Sequence, residues 1–181
     1  MIHILFTRHG ETDWNKERKI QGHIDIPLNE TGIQQAKELH EKLKDRKIDL
    51  IFSSPLKRAK DTAILAKGDR DIPIVEDPLL IEEFYGDMEG APRVDNPAYF
   101  SQRTSFFKRY PNGESYFDVY HRVAAFFEKL KKEYDGKVDT ILIVAHGGMS
   151  RVVNVYFRNM ENEDFVPYGI HNCEVVEYEL K

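Results

Sequence analysis

Cysteine is almost missing from this chain: Cys173 stands alone among 181 residues. One thiol excludes an internal disulfide and a cysteine-based zinc site, and it fits a reducing compartment. A cytoplasmic location is therefore expected. No apolar run approaches the roughly 20 residues that a membrane-spanning helix requires. The strand-like pattern from Ile2 onward gives no expectation of a secretory leader. Positive charge is also in deficit. Lys and Arg total 26 against 31 Asp and Glu, a net −5, which argues against nucleic acid or an anionic membrane surface as a partner. Repeats and low-complexity stretches are absent. Apolar residues are not scarce: at 41% they suffice for a core, and the length fits a single domain spanning 1–181.

Three apolar runs end in groups suited to phosphate. Ile2–Phe6 leads into Thr7-Arg8-His9-Gly10-Glu11, residues 48–52 lead into Ser53-Ser54-Pro55-Leu56-Lys57-Arg58, and 141–145 lead into His146-Gly147-Gly148. An arginine offers a planar fork of donors to phosphate oxygens. A neutral histidine can attack near pH 7 and carry a phosphoryl group. One Arg-His pair at a strand end is ordinary surface polarity. Three such endings are better explained by a site, because open α/β sheets gather ligands at the carboxyl ends of their strands.

Between these runs the spacing predicts helices. Ile33, Ala36, Leu39 and Leu43 form one stripe, Ala59, Thr62, Ala63 and Ala66 a second, and Val119, Val123, Phe126, Phe127 and Leu130 a third over 116–134. Pro55 suits a helix start, and another helix follows Gly148. Short strands are expected at 72–75, on a sheet edge because of Pro73, and at 173–178. Residues 15–27 read as loop and 78–90 as irregular. The alternation predicts an α/β fold, a three-layer α/β/α sandwich around a mostly parallel sheet.

In order, the chain carries Thr7-Arg8-His9-Gly10-Glu11-Thr12, Trp14-Asn15, Gln21-Gly22, Asp25-Ile26-Pro27-Leu28, Gly32, and Ser53-Ser54-Pro55-Leu56-Lys57-Arg58-Ala59 with Thr62-Ala63. Glu82 then stands four residues before Gly86, followed by Glu89-Gly90, Gly113-Glu114-Ser115 and His146-Gly147-Gly148. This sequence of motifs resembles the histidine phosphatase superfamily, in the branch that contains cofactor-dependent phosphoglycerate mutase. The resemblance implies a phosphoglycerate mutase-like fold and a set of roles. His9 is the nucleophile, Arg8, Arg58 and His146 hold the transferring phosphoryl group, and Glu82 protonates the leaving alkoxide. Asn15, Gln21, Gly22 and the backbone at Gly147 line the phosphate pocket. It also implies that the segment 91–113 caps that pocket and varies with substrate.

Other readings stay open at several positions. Glu83 and Glu89 compete with Glu82 for the acid role, and repulsion between the adjacent Glu82 and Glu83 is expected to raise one of their pKa values. Glu114 reads equally as a helix-start charge and as a site residue. His23 follows Gln21-Gly22 and is a candidate for the pocket, whereas His3, His40, His121 and His171 read as structural. Arg93, Arg103 and Arg109 are candidates for a second anionic group or plain surface. His9-Gly10-Glu11 resembles the His-x-Glu of zinc deaminases, but those also need a Cys-x-x-Cys. No metal and no cofactor are expected.

The expected partner is a small phosphate ester. Only 22 residues separate Gly90 from Gly113, and no Arg-Arg pair occurs there. The mutases of the family use a longer insertion to exclude water, so a metal-independent phosphatase is expected first and a phosphoglycerate mutase second. A non-catalytic phosphoprotein-binding module is the reading from a different class. The sequence leaves oligomeric state open.

Overall fold

The structure, a computed structural model, describes residues 1–181. Five strands form one sheet in the order β3-β2-β4-β1-β5. These are β1 (Ile2–Arg8), β2 (Leu50–Ser53), β3 (Ile74–Glu76), β4 (Thr140–Ala145) and β5 (Val175–Leu180). All neighbours run parallel except β5, which lies antiparallel to β1.

The central strands are apolar on both faces, as strands covered by two helical layers must be. Ile4 and Phe6 of β1, Phe52 of β2, and Ile141, Ile143 and Ala145 of β4 face one core. Leu5, Ile51, Leu142 and Val144 face the other. Along the chain the helices are α1 (Asp13–Lys16), α2 (Glu30–Leu43), α3 (Lys57–Lys67), α4 (Pro97–Arg103), α5 (Tyr116–Tyr134), α6 (Gly147–Phe157) and α7 (Asn162–Phe165). The pair α2 and α3 covers one face through Ala36, Leu39, Ala59, Ala63 and Ala66. The pair α5 and α6 covers the other through Val119, Val123, Phe126, Met149 and Val153. The α/β/α sandwich is therefore the observed architecture.

Boundaries differ from expectation in ways the backbone explains. β3 begins at Ile74 rather than Ile72, and it does occupy a sheet edge. Pro73 has no N–H to give, although its carbonyl accepts from Ile51 N–H at 3.0 Å. β5 runs 175–180 rather than 173–178 because Cys173 sits at φ +59°, a left-handed conformation that a strand cannot include. Residues 13–16, partly inside the expected loop, close one helical turn through a capping box between Thr12 and Asn15. The irregular stretch 78–90 contains two single 3-10 turns, Pro78–Leu80 and Gly86–Met88.

In register, Arg8 lies beside Ala145, and Ser53 beside Val144. The three strand ends singled out in the sequence therefore reach one edge of the sheet together.

Candidate active site

His9 follows β1 and is 2% exposed. Its Nδ1–H donates to the Gly10 carbonyl at 2.7 Å. A carbonyl can only accept, so in the neutral ring Nε2 keeps its lone pair. Burial, then the charges of Arg58 and Arg8, hold the imidazole well below its ordinary pKa. A neutral ring with a bare Nε2 is the protonation state a nucleophile needs.

The backbone around His9 is fastened on both sides. Gly10 N–H donates to Thr62 Oγ1 at 3.0 Å, and that hydroxyl donates to Arg58 O at 2.7 Å. The Asn172 amide donates to the His9 carbonyl at 2.7 Å.

Around His9, three buried nitrogens lack a protein partner: Arg8 Nε, Arg58 Nε and His146 Nδ1. The other ends of these side chains are tied to neutral groups. Arg8 Nη1 donates to Ile170 O at 3.2 Å. Arg58 donates to Gly22 O at 2.7 Å and Ile24 O at 2.8 Å. His146 Nε2 sits 2.7 Å from Ser54 Oγ. That oxygen already accepts from Leu56 N–H at 3.3 Å. Its own hydrogen has no other acceptor and can be given to Nε2, which places the ring proton on Nδ1. Burial lowers the Arg8 guanidinium to about 10, so it stays charged at neutral pH. A buried donor without a partner costs roughly 1–3 kcal/mol. Three of them around one imidazole match the oxygens of a phosphoryl group.

Glu82 stands at the N-terminus of α6. Its Oε1 accepts from Glu83 N–H at 2.8 Å and Met149 N–H at 2.9 Å, and Oε2 accepts from Gly148 N–H at 2.9 Å. A carboxylate has about four acceptor sites, so one remains open toward the cavity. A Cβ on Gly148 would lie 2.6 Å from Glu82 Oε1 and 2.5 Å from the Tyr85 hydroxyl. Glycine is therefore required there for the carboxylate to approach the helix.

A network that the sequence did not reveal holds the main chain of Glu82. Arg122 of α5 donates to the carbonyls of Leu79, Ile81 and Glu82 at 2.8, 2.6 and 3.0 Å. It also grips Glu114 through two donors at 2.9 and 3.0 Å. Glu114 in turn accepts from Phe84 N–H at 2.9 Å. This resolves Glu114 as a structural support, while Ser115 is the helix cap. His23 is a support as well: its Nε2 donates to Glu82 O at 2.9 Å and its ring stacks on Phe84.

These groups border a cavity of about 120 Å³. Of the residues named from the sequence, Arg8, His9, Asn15, Gln21, Gly22, Arg58, Glu82 and Gly147 line it. His146 is not part of the cavity lining; its ring stands beside His9, with centroids 5.2 Å apart. Lys19, Arg93, Arg103 and Arg151 add positive charge, and Glu82 is the one carboxylate on the wall. Of the three cap arginines, Arg109 is the exception. It is exposed and paired with Asp118 at 2.7 Å, so it is surface. Lys19 and Arg151 carried no motif; Arg151 reaches the site by standing one helical turn beyond Gly147. The cap aromatics divide: Tyr99 lines the cavity and packs with Tyr85 and Tyr110, whereas Phe100 and Phe107 are exposed. Of the competing carboxylates, Glu89 accepts from His23 N–H and Tyr85 N–H, and Glu83 points into buried surroundings without a hydrogen bond. No group of three or more His, Cys, Asp or Glu side chains is placed to hold a metal ion.

A fold with phosphate donors converging on a buried neutral histidine defines a class, and sequence comparison gives the same one. Residues 4–181 match the histidine phosphatase superfamily (branch 1), and the chain belongs to it. It is 42% identical over 147 residues to the uncharacterized phosphatase PhoE of Bacillus subtilis, covering 81% of this chain and 72% of that protein. It is 32% identical to a 2,3-bisphosphoglycerate-dependent phosphoglycerate mutase of Gloeobacter violaceus, covering 99% and 86%. Among solved structures, a mycobacterial glucosyl-3-phosphoglycerate phosphatase superposes with a TM-score of 0.87 at 27% identity, covering 98% and 92%. No helix is long and apolar enough to cross a membrane.

Proposed function

We propose that this enzyme is a metal-independent phosphatase. It hydrolyses the phosphate monoester of a small alcohol that carries a second anionic group. The observation that supports this most directly is the set of three unpartnered donors around a neutral, Nε2-bare His9. The phosphoryl group sits on Arg8, Arg58 and His146. His9 Nε2 attacks in line, a P–N bond forms, and the P–O ester bond breaks. Glu82 gives its proton to the departing alkoxide. Water then attacks the phosphohistidine, Glu82 takes the water's proton, the P–N bond breaks, and inorganic phosphate leaves. Positioning and electrostatics supply most of such catalysis.

The size and charge of the cavity favour the substrate class. Its 120 Å³ is small beside the roughly 300–1,000 Å³ of pockets for drug-sized ligands. That suits a metabolite better than a protein loop and speaks against a phosphoprotein-binding module. Lys19, Arg93, Arg103 and Arg151 exceed what one phosphate needs, and in a chain of net charge −5 such a concentration calls for a second anion. The related glucosyl-3-phosphoglycerate phosphatase, by its name, acts on a phosphorylated compound containing glycerate. A mutase would use the same charges, and the chain's mutase relatives keep that reading second.

The test is steady-state hydrolysis of an aryl phosphate and a panel of alkyl phosphates in EDTA. His9→Ala should abolish turnover. Glu82→Gln should cost roughly 10²- to 10⁴-fold on alkyl phosphates and less on the aryl ester, whose leaving group needs little protonation. Mutase turnover of phosphoglycerate far above any hydrolysis would overturn the proposal.

A further inference from the structure

The stretch of main chain after α7 carries no motif, yet it holds three arginines of the cavity. Phe165 and Ile170 anchor its two ends in the core, and Pro167 and Gly169 between them are exposed. Tyr168 N–H donates back to Asp164 O at 3.1 Å and fixes the turn. Every second carbonyl then accepts from a guanidinium. Val166 O takes Arg103 Nη2 at 2.9 Å, Tyr168 O takes Arg151 Nε and Nη2 at 3.2 and 3.1 Å, and Ile170 O takes Arg8 Nη1 at 3.2 Å. Side chains from α4, α6 and β1 thus hang on five consecutive residues, and all three line the cavity.

Arg8 is the member of this set beside His9. The other two are held firmly and keep donors to spare. Arg103 Nε is buried without a partner, and the guanidinium lies 5.4 Å from the centre of the Tyr99 ring. Arg151 is 8% exposed and spends two nitrogens on one neutral oxygen. A carbonyl cancels no charge, so both cations remain uncompensated. The remaining cations of the wall are placed differently. Lys19 already has Glu17 as a counter-ion at 2.5 Å. Arg93 is fastened through its backbone N–H, to Arg18 O at 2.8 Å. A planar fork pinned along one edge keeps its free N–H groups in fixed directions.

We propose that segment 166–170 makes Arg103 and Arg151 a rigid subsite for the substrate's second anionic group, and that the enzyme selects substrates by the spacing between that group and the phosphate. This rests on the reading of a second anionic group given above. Val166 and Tyr168 are positioning residues, since their carbonyls touch the arginines and not the substrate. The same segment holds Arg8, so the outer subsite is fixed relative to the phosphoryl site. A preorganised site binds a matching ligand without an ordering cost and cannot follow one whose anions stand too near or too far apart.

The experiment measures Kd by titration calorimetry at pH 7.5 on a His9→Ala background, where no ligand is consumed by either a phosphatase or a mutase. The probes are phosphoglycolate, 3-phosphoglycerate and 4-phosphoerythronate, whose carboxylate stands progressively farther from the phosphate. Glycerol phosphate is the probe without a second anion. One acid of the series should bind about tenfold tighter than the other two and than glycerol phosphate, the weight of one hydrogen bond to a charged group. Arg103→Gln and Arg151→Gln should each weaken that acid by roughly 10- to 100-fold and glycerol phosphate far less. Arg103→Lys keeps the charge but loses the fork, and Pro167→Gly loosens the exposed segment without touching an arginine. Both should flatten the preference along the series. If both keep the parent's preference, the segment does not set the spacing. If the three acids bind alike but tighter than glycerol phosphate, the subsite exists and is not rigid, which overturns the proposal. If no acid binds tighter than glycerol phosphate, the second-anion reading itself fails.

Discussion

Replacing Arg122 by methionine keeps the hydrophobic stem and removes every donor. The native guanidinium makes three bonds to the carbonyls of Leu79, Ile81 and Glu82 and two to the Glu114 carboxylate. The ion pair is largely buried, with side-chain exposures of 13% and 22%. Breaking one partner of a buried pair costs roughly 3–5 kcal/mol. Because this pair is not fully enclosed, we expect about 3 kcal/mol, a large part of an ordinary domain's 5–15 kcal/mol. Urea unfolding reads it as a lower midpoint at unchanged slope. Activity gives an independent readout. With its main chain loosened, Glu82 should lose its alignment, so kcat on alkyl phosphates should drop by about tenfold and on aryl phosphates by less. Glu114→Gln keeps an acceptor and should fall between wild type and Arg122→Met on both scales. If Arg122→Met unfolds within 1 kcal/mol of wild type and treats both leaving groups alike, the network does not hold the acid in place.

Other expectations follow from the same geometry. Gly148→Ala puts a methyl 2.6 Å from Glu82 Oε1. It should lower kcat on alkyl phosphates by roughly 10²-fold while far-ultraviolet circular dichroism stays native; full activity would contradict the packing described. His9 is held neutral well below its ordinary pKa of 6.5. An acid limb assigned to His9 in kcat/KM should therefore lie clearly below pH 6.5, and an NMR titration that places the His9 imidazole at 6.5 would refute this. Both His9 and His146 are lowered, so at these two sites the unfolded chain binds more protons below pH 6.5, and their contribution to stability falls as pH drops through 6.5. The raised Glu83 works in the opposite direction, so the test uses a Glu83→Gln background, where equal urea midpoints at pH 7.5 and 5.5 would count against the histidine linkage.

The sequence made the strand ends legible because each combined an apolar run with an abrupt polar terminus. Arg8, His9, Arg58 and His146 could be named at once, and the apolar spacing marked the faces of α2, α3 and α5. What escaped was tertiary. Nothing in the spacing of Arg122 distinguishes it from a surface arginine, because its five acceptors come from segments 79–82 and 114. Arg93 and Arg103 face the cavity while Arg109 does not, and their shared composition carries no sign of the difference. Glu83 illustrates the same limit. Repulsion within the Glu82–Glu83 pair was expected to raise one of the two, and Glu83 is the one raised. The larger cause is burial among tyrosines, which only the fold supplies. The starts of β3 and β5 were misplaced by a proline and by a left-handed cysteine, both local effects that an apolar pattern does not register.

The order of strands has a consequence for how this enzyme comes into being. β1 leads into His9, the proposed nucleophile, and precedes every other strand, yet it lies between β4 and β5. Residue 3 pairs with residue 140, and residue 2 with residue 180. During synthesis the Arg8-His9 segment must therefore wait, with its hydrogen-bonding edges unmatched, until more than three-quarters of the chain has left the ribosome. Contacts between such remote positions make folding slow and expose strand edges meanwhile. Catalytic competence is thus acquired all at once, late in the chain's synthesis, and a ribosome stalled before residue 140 carries every atom of the nucleophile and no enzyme.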